Sequence, residues 1–85
     1  MWLVVDRIEE NTVILLDDGE TLYTLSADDY IAMTGESPTE SLVLDARMDG
    51  GSILSLIPSP EETERRRAAA RERMARLAAR KKKWP

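Results

Sequence analysis

The chain contains neither cysteine nor histidine among its 85 residues. The lack of cysteine excludes disulfide and thiolate chemistry. The lack of histidine removes the commonest general base and the commonest metal ligand. The serines therefore have no imidazole to activate them as nucleophiles, and the sequence has no Gly-rich phosphate loop. We accordingly expect a protein that is not an enzyme, with no catalytic residues, no metal site, no cofactor and no small-molecule substrate.

Long hydrophobic runs and phenylalanine are also missing. No apolar segment approaches the roughly 18 residues that a membrane-spanning helix needs. The first residues, MWLVVD, reach an acid at position six and lack the basic region of a signal peptide. These features predict a soluble, cytoplasmic protein without a membrane partner. Before residue 60 the aromatic side chains are Trp2, Tyr23 and Tyr30, which offer few platforms for stacking nucleic-acid bases.

Charge is divided unevenly along the chain. Residues 1–60 hold twelve acidic and two basic side chains, a net charge of −10. Residues 61–85 hold ten basic and four acidic side chains, a net charge of +6. An asymmetry of this kind is typical of an interaction segment. The sequence therefore predicts an acidic part over 1–58 and a basic C-terminal helix and tail over 59–85.

The acidic part is predicted to form five short strands. Turn residues separate apolar runs at 2–8, 12–16, 21–25, 42–44 and 53–57. The Asp-Asp-Gly sequence at 17–19 predicts a hairpin turn with Gly19 at positive φ, and 48–51 predicts a second turn. Between the third and fourth strands, Ser26 is expected to begin a short helical turn that Gly35 ends. Because these strands are short and regularly spaced, they predict a small five-stranded β-barrel, SH3-like or OB-like.

The hydrophobic period changes at Ser59, where a long charged helix over about 60–82 is predicted. Ser59 and Glu62 have the spacing of a capping box, and Pro60 suits the first helical position. Glutamates precede arginines by four residues, which favours ion pairs along the helix. These predicted pairs are Glu61–Arg65, Glu62–Arg66 and Glu72–Arg76. The fold class is therefore mainly β with one C-terminal α-helix.

A narrow apolar stripe runs along the predicted helix, formed by Ala70, Met74, Leu77 and Trp84. The stripe is too narrow for a bundle core, and a membrane-surface helix needs a larger apolar face. We therefore expect it to bind a partner together with neighbouring arginines. The predicted partner-binding residues are Arg66, Arg67, Arg71, Met74, Leu77, Arg80 and Trp84.

Two classes of partner fit the basic helix. An acidic protein surface is complementary to it, whether the chain's own barrel, a second copy in a two-fold homodimer, or another protein. Nucleic acid is the alternative, with the helix acting as a basic rod that neutralises phosphates. The net charge of −10 on the rest of the chain would repel phosphates. We therefore predict a non-enzymatic protein-binding or adaptor module, with a nucleic-acid-binding accessory protein as the alternative.

The acidic pairs of the first part have structural explanations. Residues 17–18 lie in a turn, where aspartate side chains bind backbone N–H groups, and they lack the ligand spacing of a calcium loop. Residues 28–29 match the charge preference of a helix N-terminus. Asp6 and Arg7 lie within an apolar strand, on opposite faces by its period of two. They predict either an ion pair at the barrel rim or a position facing a ligand.

Three motifs occur in the order typical of one small bacterial family. They are VVDRIE at 4–9, LLDDGE at 15–20 and PEETERRR at 60–67. With them the chain resembles the family catalogued as domain of unknown function three thousand and six, over nearly its whole length. The resemblance implies a small bacterial protein with a compact β fold and a helical tail, and it implies no catalytic residues. The segment at 26–38 departs from the family's usual Leu-Pro turn, and its role is unassigned.

Overall fold

The computed structural model describes residues 1–82, with side chains for residues 1–79. Five strands and two helices follow one another along the chain. They are β1 (Trp2–Glu9), β2 (Thr12–Asp17), β3 (Leu22–Ser26), α1 (Ala27–Thr34), β4 (Val43–Asp49), β5 (Ser52–Pro58) and α2 (Pro60–Lys82). The prediction of a mainly β chain with a C-terminal helix is confirmed.

The five strands form one antiparallel sheet in the order β3-β2-β1-β4-β5, which curls into a half-barrel. The first three strands form an antiparallel meander, and β4 joins the free side of β1. Within the described part of the chain, β3 and β5 are the two ends of the sheet and do not pair with each other. The sheet is therefore an open half-barrel.

The concave face of the half-barrel encloses the hydrophobic core. Its members are exposed by 3 % or less: Leu3, Val5, Val13, Leu15, Tyr30, Leu44, Ala46 and Leu56. Seven of them come from strands, and Tyr30 comes from α1. Helix α1 contacts β2, β3 and β5, so it covers the open side of the curl. Removal of these side chains from water is the main source of stability for so small a domain.

Helix α1 has the extent of the short helical segment predicted between Ser26 and Gly35, and both of its ends are confirmed. The Ser26 side chain accepts a hydrogen bond from the backbone N–H of Asp29 at 3.1 Å. Gly35 ends the helix with φ 76°, and its N–H donates to the carbonyl of Ile31. In this left-handed conformation the Cβ atom of any other residue would clash with the backbone, and glycine has no Cβ.

The two hairpin turns differ in how well they match the prediction. In the first, the positive φ falls at Glu20, with φ 64°, so the expectation for Gly19 is wrong. The carboxylate of Asp17 determines this loop, because its Oδ1 accepts the N–H groups of Gly19 at 2.9 Å and Thr21 at 2.8 Å. In the second, the predicted turn at 48–51 is confirmed, and both residues of Gly50–Gly51 have positive φ.

Strand β4 extends well beyond the predicted run at 42–44. It continues to Asp49 because Asp45 and Arg47 face solvent on either side of buried Ala46. This alternation of polar and apolar side chains is the pattern of a strand with one wet face. The sequence prediction stopped at residue 44 because it followed the apolar run and not this alternation.

Helix α2 begins and ends where the sequence predicts, with Ser59 Oγ accepting the N–H of Glu62 at 3.3 Å. The second half of the capping box does not form, because the Glu62 carboxylate binds arginines instead. The expected pair of Glu61 with Arg65 is wrong, since Arg65 binds Glu62 one residue closer. The other two predicted pairs are confirmed: Glu62–Arg66 at 3.0 Å and Glu72–Arg76 at 2.7 Å.

Candidate protein-interaction surface

The outer face of the sheet carries a second apolar surface. Val43, Val4, Leu16 and Leu22 are partners across four neighbouring strands. Because strand side chains alternate between faces, this row lies opposite the core residue Leu3. We name the four residues the outer band. Val43 is 1 % exposed at one end of the band, whereas Leu22 is 53 % exposed at the other.

The first turn of α2 covers the Val43 end of the outer band. The buried hydroxyl of Thr63 accepts the backbone N–H of Val43 at 2.8 Å and donates to the carbonyl of Ser59 at 2.8 Å. The N–H of Ser59 in turn donates to the carbonyl of Val43 at 2.9 Å. This closed set of hydrogen bonds fixes where the helix leaves the sheet.

Charged groups also help to attach the helix to the sheet. They surround Glu62, which is 9 % exposed. Hydrogen bonds from Arg65, and then from Arg66, lower the pKa of the Glu62 carboxyl from 4.5 to about 2. Arg66 also binds Asp18, the residue after β2, at 3.2 Å. Among the described side chains, this is the ion pair that joins the helix to the sheet. We name residues 62–66, which make these contacts with the sheet and with one another, the anchor.

Beyond the anchor, α2 projects from the body of the molecule. Every side chain from Arg67 to Ala79 is exposed. The molecule is 53 Å long but 25 Å and 21 Å in its other dimensions, as a projecting helix requires. Contact between the helix and its own sheet, one of the predicted interactions, is therefore limited to the anchor.

The projecting part carries exposed apolar side chains on a defined side. Met74 is 68 % exposed and Leu77 is 54 % exposed. At 3.6 residues per turn, Met74 lies within about 20° and Leu77 within about 40° of the direction of Thr63 around the helix. The side that packs on the sheet at Thr63 therefore continues outward as an exposed apolar strip. We name Ala70, Met74 and Leu77 the seam.

Two of the four arginines of the projecting part are paired within the helix. Arg71 binds Glu64, and Arg76 binds Glu72. Residues 60–79 contain six arginines and four glutamates, a net charge of +2. Arg67 and Arg73 have no acidic partner within 4.0 Å in the part of the chain whose side chains are described. The remaining surplus of positive charge belongs to residues 80–83.

The predicted partner-binding residues thus divide into two groups. Arg66 belongs to the anchor, where it holds the helix on the sheet. Exposed side chains of the projecting part form the second group: Arg67, Arg71, Met74 and Leu77. The side chain of Arg80, and Trp84 altogether, lie outside the described residues.

Asp6 and Arg7 lie together at the surface because β1 contains a bulge. Val5 pairs with Leu15 and Arg7 pairs with Ile14, so Asp6 is the extra residue. Both side chains are exposed. Val5 faces the core, so Asp6 faces outward, and Arg7 pairs with Ile14, which lies between the core residues Val13 and Leu15 and also faces outward. The expectation that Asp6 and Arg7 occupy opposite faces is therefore wrong. Arg7 Nη1 lies 3.7 Å from Asp6 Oδ2, and Arg7 Nε lies 2.8 Å from a carboxylate oxygen of Glu9. Exposed pairs of this kind contribute about 0–1 kcal/mol.

The outer band is the feature that sequence reasoning missed. The signal for it was present in β2, where Val13, Ile14 and Leu15 are consecutive and all buried. A strand with one wet face alternates polar and apolar residues, whereas an uninterrupted apolar run indicates burial on both faces. The apolar side chains on the outer face of β2 therefore implied that another segment of the chain, or a partner, covers that face.

Other chemistry is sparse within residues 1–82. No group of three or more acidic, cysteine or histidine side chains among the described residues is arranged to hold a metal ion. Neither α1 nor the described length of α2 combines the length and hydrophobicity needed to cross a membrane. The hydroxyl of Tyr30 is buried without a hydrogen-bond partner in this part of the chain. Burial, and then the negative charge of Glu36, raise the pKa of Tyr30 to about 12.

Comparison of the chain with known families, curated proteins and solved structures gave no match. No family model matches the chain. No curated protein and no solved structure shows significant similarity to it.

Proposed function

We propose that the protein is a non-enzymatic protein-binding module whose projecting helix docks on an acidic protein surface. The observation that carries this proposal is the seam: Met74 and Leu77 are more than half exposed on a helix that has already left its own sheet. Burial of such a side chain gains about 1.5–3 kcal/mol. A partner that covers both therefore gains a substantial free energy from two residues.

The arginines beside the seam favour a protein partner of negative charge. Arg67 and Arg71 lie within about 60° of Met74 around the helix, and arginine is enriched at protein interfaces. An acidic partner would gain from these charges in its rate of association and in its orientation on the helix. The apolar seam would supply the larger part of the affinity, because exposed ion pairs contribute little.

Nucleic acid is the second candidate, supported by Arg67, Arg73 and the basic residues at 80–83. A basic rod would bind phosphates with a steep dependence on salt. The intrahelical pairs of Arg71 and Arg76 reduce the charge available to either kind of partner. Contacts with phosphates would also leave the exposed side chains of the seam without an apolar partner. The acidic body would add repulsion. Protein binding is therefore the better-supported proposal.

Co-purification from the cell of origin with matched baits tests the proposal. One bait is the intact protein, and a second carries Met74→Glu and Leu77→Glu on the seam. The control bait carries Ala69→Glu and Ala79→Glu, which add the same two charges on the other side of the helix, about 140° from Met74. We expect a defined set of proteins with the intact and control baits, and its loss with the seam bait.

Titration with a mixed-sequence DNA duplex and a single-stranded RNA separates the two candidates. Protein binding predicts weak binding to either probe at moderate salt. Tight binding with a steep salt dependence would favour the nucleic-acid alternative. Identical protein sets with the seam and control baits would show that the seam does not bind a partner.

Our proposal also includes the family of the protein, its type of barrel and its location in the cell. The motifs at 4–9, 15–20 and 60–67 support membership of the family catalogued as domain of unknown function three thousand and six, and with it a bacterial origin. The SH3-like or OB-like barrel and the cytoplasmic location likewise stay predictions.

A further inference from the structure

We propose that the acidic surface bound by the seam is the outer band of a second copy of this chain. This inference rests on the proposed function and names its partner. The sheet presents apolar side chains that its own helix leaves uncovered. Leu22 at the open end of the band is 53 % exposed, and Ile57 on the same outer face is 61 % exposed. Within residues 1–79, the seam is therefore uncovered, and the outer band is covered at its Val43 end but open at its Leu22 end.

Charge around the band complements charge around the seam. Asp18 and Glu20 occupy the turn between Leu16 and Leu22, next to the open half of the band. Asp45 follows Val43 by two residues and therefore lies on the same outer face. Asp18 binds Arg66 at 3.2 Å and Asp45 binds the N-terminal amine at 3.3 Å, but their side chains are still 68 % and 58 % exposed. These carboxylates would meet the arginines that accompany the seam.

The dimensions fit an exchange of helices between two copies. The projecting residues 67–79 span about 20 Å at 1.5 Å per residue. This length matches the 21–25 Å width of the molecule. A two-fold pair would place each seam on the other copy's band, so that one geometry covers two seams and two bands.

Pairing of two seams with each other is less favourable. It would bring Arg67 and Arg71 of one copy close to the same residues of the other, and like charges at an interface oppose association. It would also leave the outer band exposed on both copies. The helix-on-sheet arrangement has neither cost.

Sizing in solution over a range of concentrations tests the arrangement. The seam variant carries Met74→Glu and Leu77→Glu, and the sheet variant carries Leu22→Glu. The controls are Ala69→Glu with Ala79→Glu on the helix, and Thr12→Glu at the far end of β2. We expect dimers for the intact protein and both controls, and monomers for both test variants. Circular dichroism verifies folding, and the milder Leu22→Ser replaces Leu22→Glu if that variant does not fold.

A mixing experiment identifies which surfaces meet. Neither the seam variant nor the sheet variant is expected to self-associate. Together they retain one intact contact, because the helix of the sheet variant can dock on the band of the seam variant. We therefore expect heterodimers in the mixture, with a dissociation constant at least about tenfold weaker than that of the intact dimer, since one of two contacts is lost.

The outcomes separate this inference from the proposed function. An intact protein that stays monomeric, or a sheet variant that dimerises like the parent, overturns the inference. If the co-purified partners still depend on the seam in that case, the proposed function stands without it. If they do not, both fail.

Discussion

The hydroxyl of Thr63 accepts the backbone N–H of Val43 across twenty residues of sequence, at 2.8 Å and fully buried. The bond joins the first turn of α2 to the first residue of β4. Because it occupies a backbone donor that the sheet leaves unpaired, it determines where the helix is attached. The direction of the projecting helix, and hence the position of the seam, depends on this contact.

Replacement of Thr63 by valine is expected to lower the free energy of unfolding by about 1–3 kcal/mol, since it leaves the buried N–H of Val43 without an acceptor. Thr63→Ser, which keeps the hydroxyl, should lose less than half as much. Urea unfolding of the two variants checks the difference. A larger loss for Thr63→Ser than for Thr63→Val would show that the methyl group, and not the hydrogen bond, stabilises the anchor.

The pKa of Glu62 predicts a contribution to stability that depends on pH. Hydrogen bonds from Arg65 and Arg66 lower this pKa from 4.5 to about 2 in the folded state. A lowered pKa means that the stabilisation is complete above about pH 4.5 and is lost as the pH falls toward 2. We expect Glu62→Gln to unfold more easily than the parent at pH 7, with a difference that shrinks over this range. A difference that stays constant from pH 7 to pH 2 would contradict the assignment.

The buried hydroxyl of Tyr30 predicts an unusual tolerance of phenylalanine. Its oxygen has no hydrogen-bond partner within residues 1–82, so Tyr30→Phe removes a desolvated polar group and should keep or raise stability by about 1 kcal/mol. The raised pKa of Tyr30 also predicts that the parent loses stability as the pH rises from 10 through about 12. Thermal unfolding at pH 7 and pH 11 checks both. A clear loss of stability in the variant at pH 7 would indicate a partner such as a bound water.

The exposure of the seam predicts that it contributes little to folding. Met74→Glu and Leu77→Glu replace side chains that are 68 % and 54 % exposed on the isolated chain. At concentrations where the protein is monomeric, we expect the free energy of unfolding to change by less than about 0.5 kcal/mol. Chemical denaturation measures it, with Ala69→Glu and Ala79→Glu as the control. A loss well above that of the control would mean that the helix packs on its own sheet.

Local chemistry in the sequence determined the individual elements of this protein. The start of α2 follows from Ser59 and Pro60, and the ends of α1 follow from Ser26 and Gly35, because caps act through hydrogen bonds to the nearest residues. The turn at Gly50–Gly51 follows from the freedom of glycine at positive φ. The division of charge is likewise a property of the sequence alone.

Tertiary structure decided what these elements do together. The bulge at Asp6 shifts every later side chain of β1 relative to its partner, and only the pairing with β2 shows it. The curl that stops before β3 reaches β5, and the attachment of α2 at Val43, depend on contacts between residues far apart in sequence. The sequence alone contains the residues of the outer band and of the seam. Tertiary packing decides that the outer band is half covered and that the seam is left exposed, because the burial of a side chain depends on which distant segments pack against it.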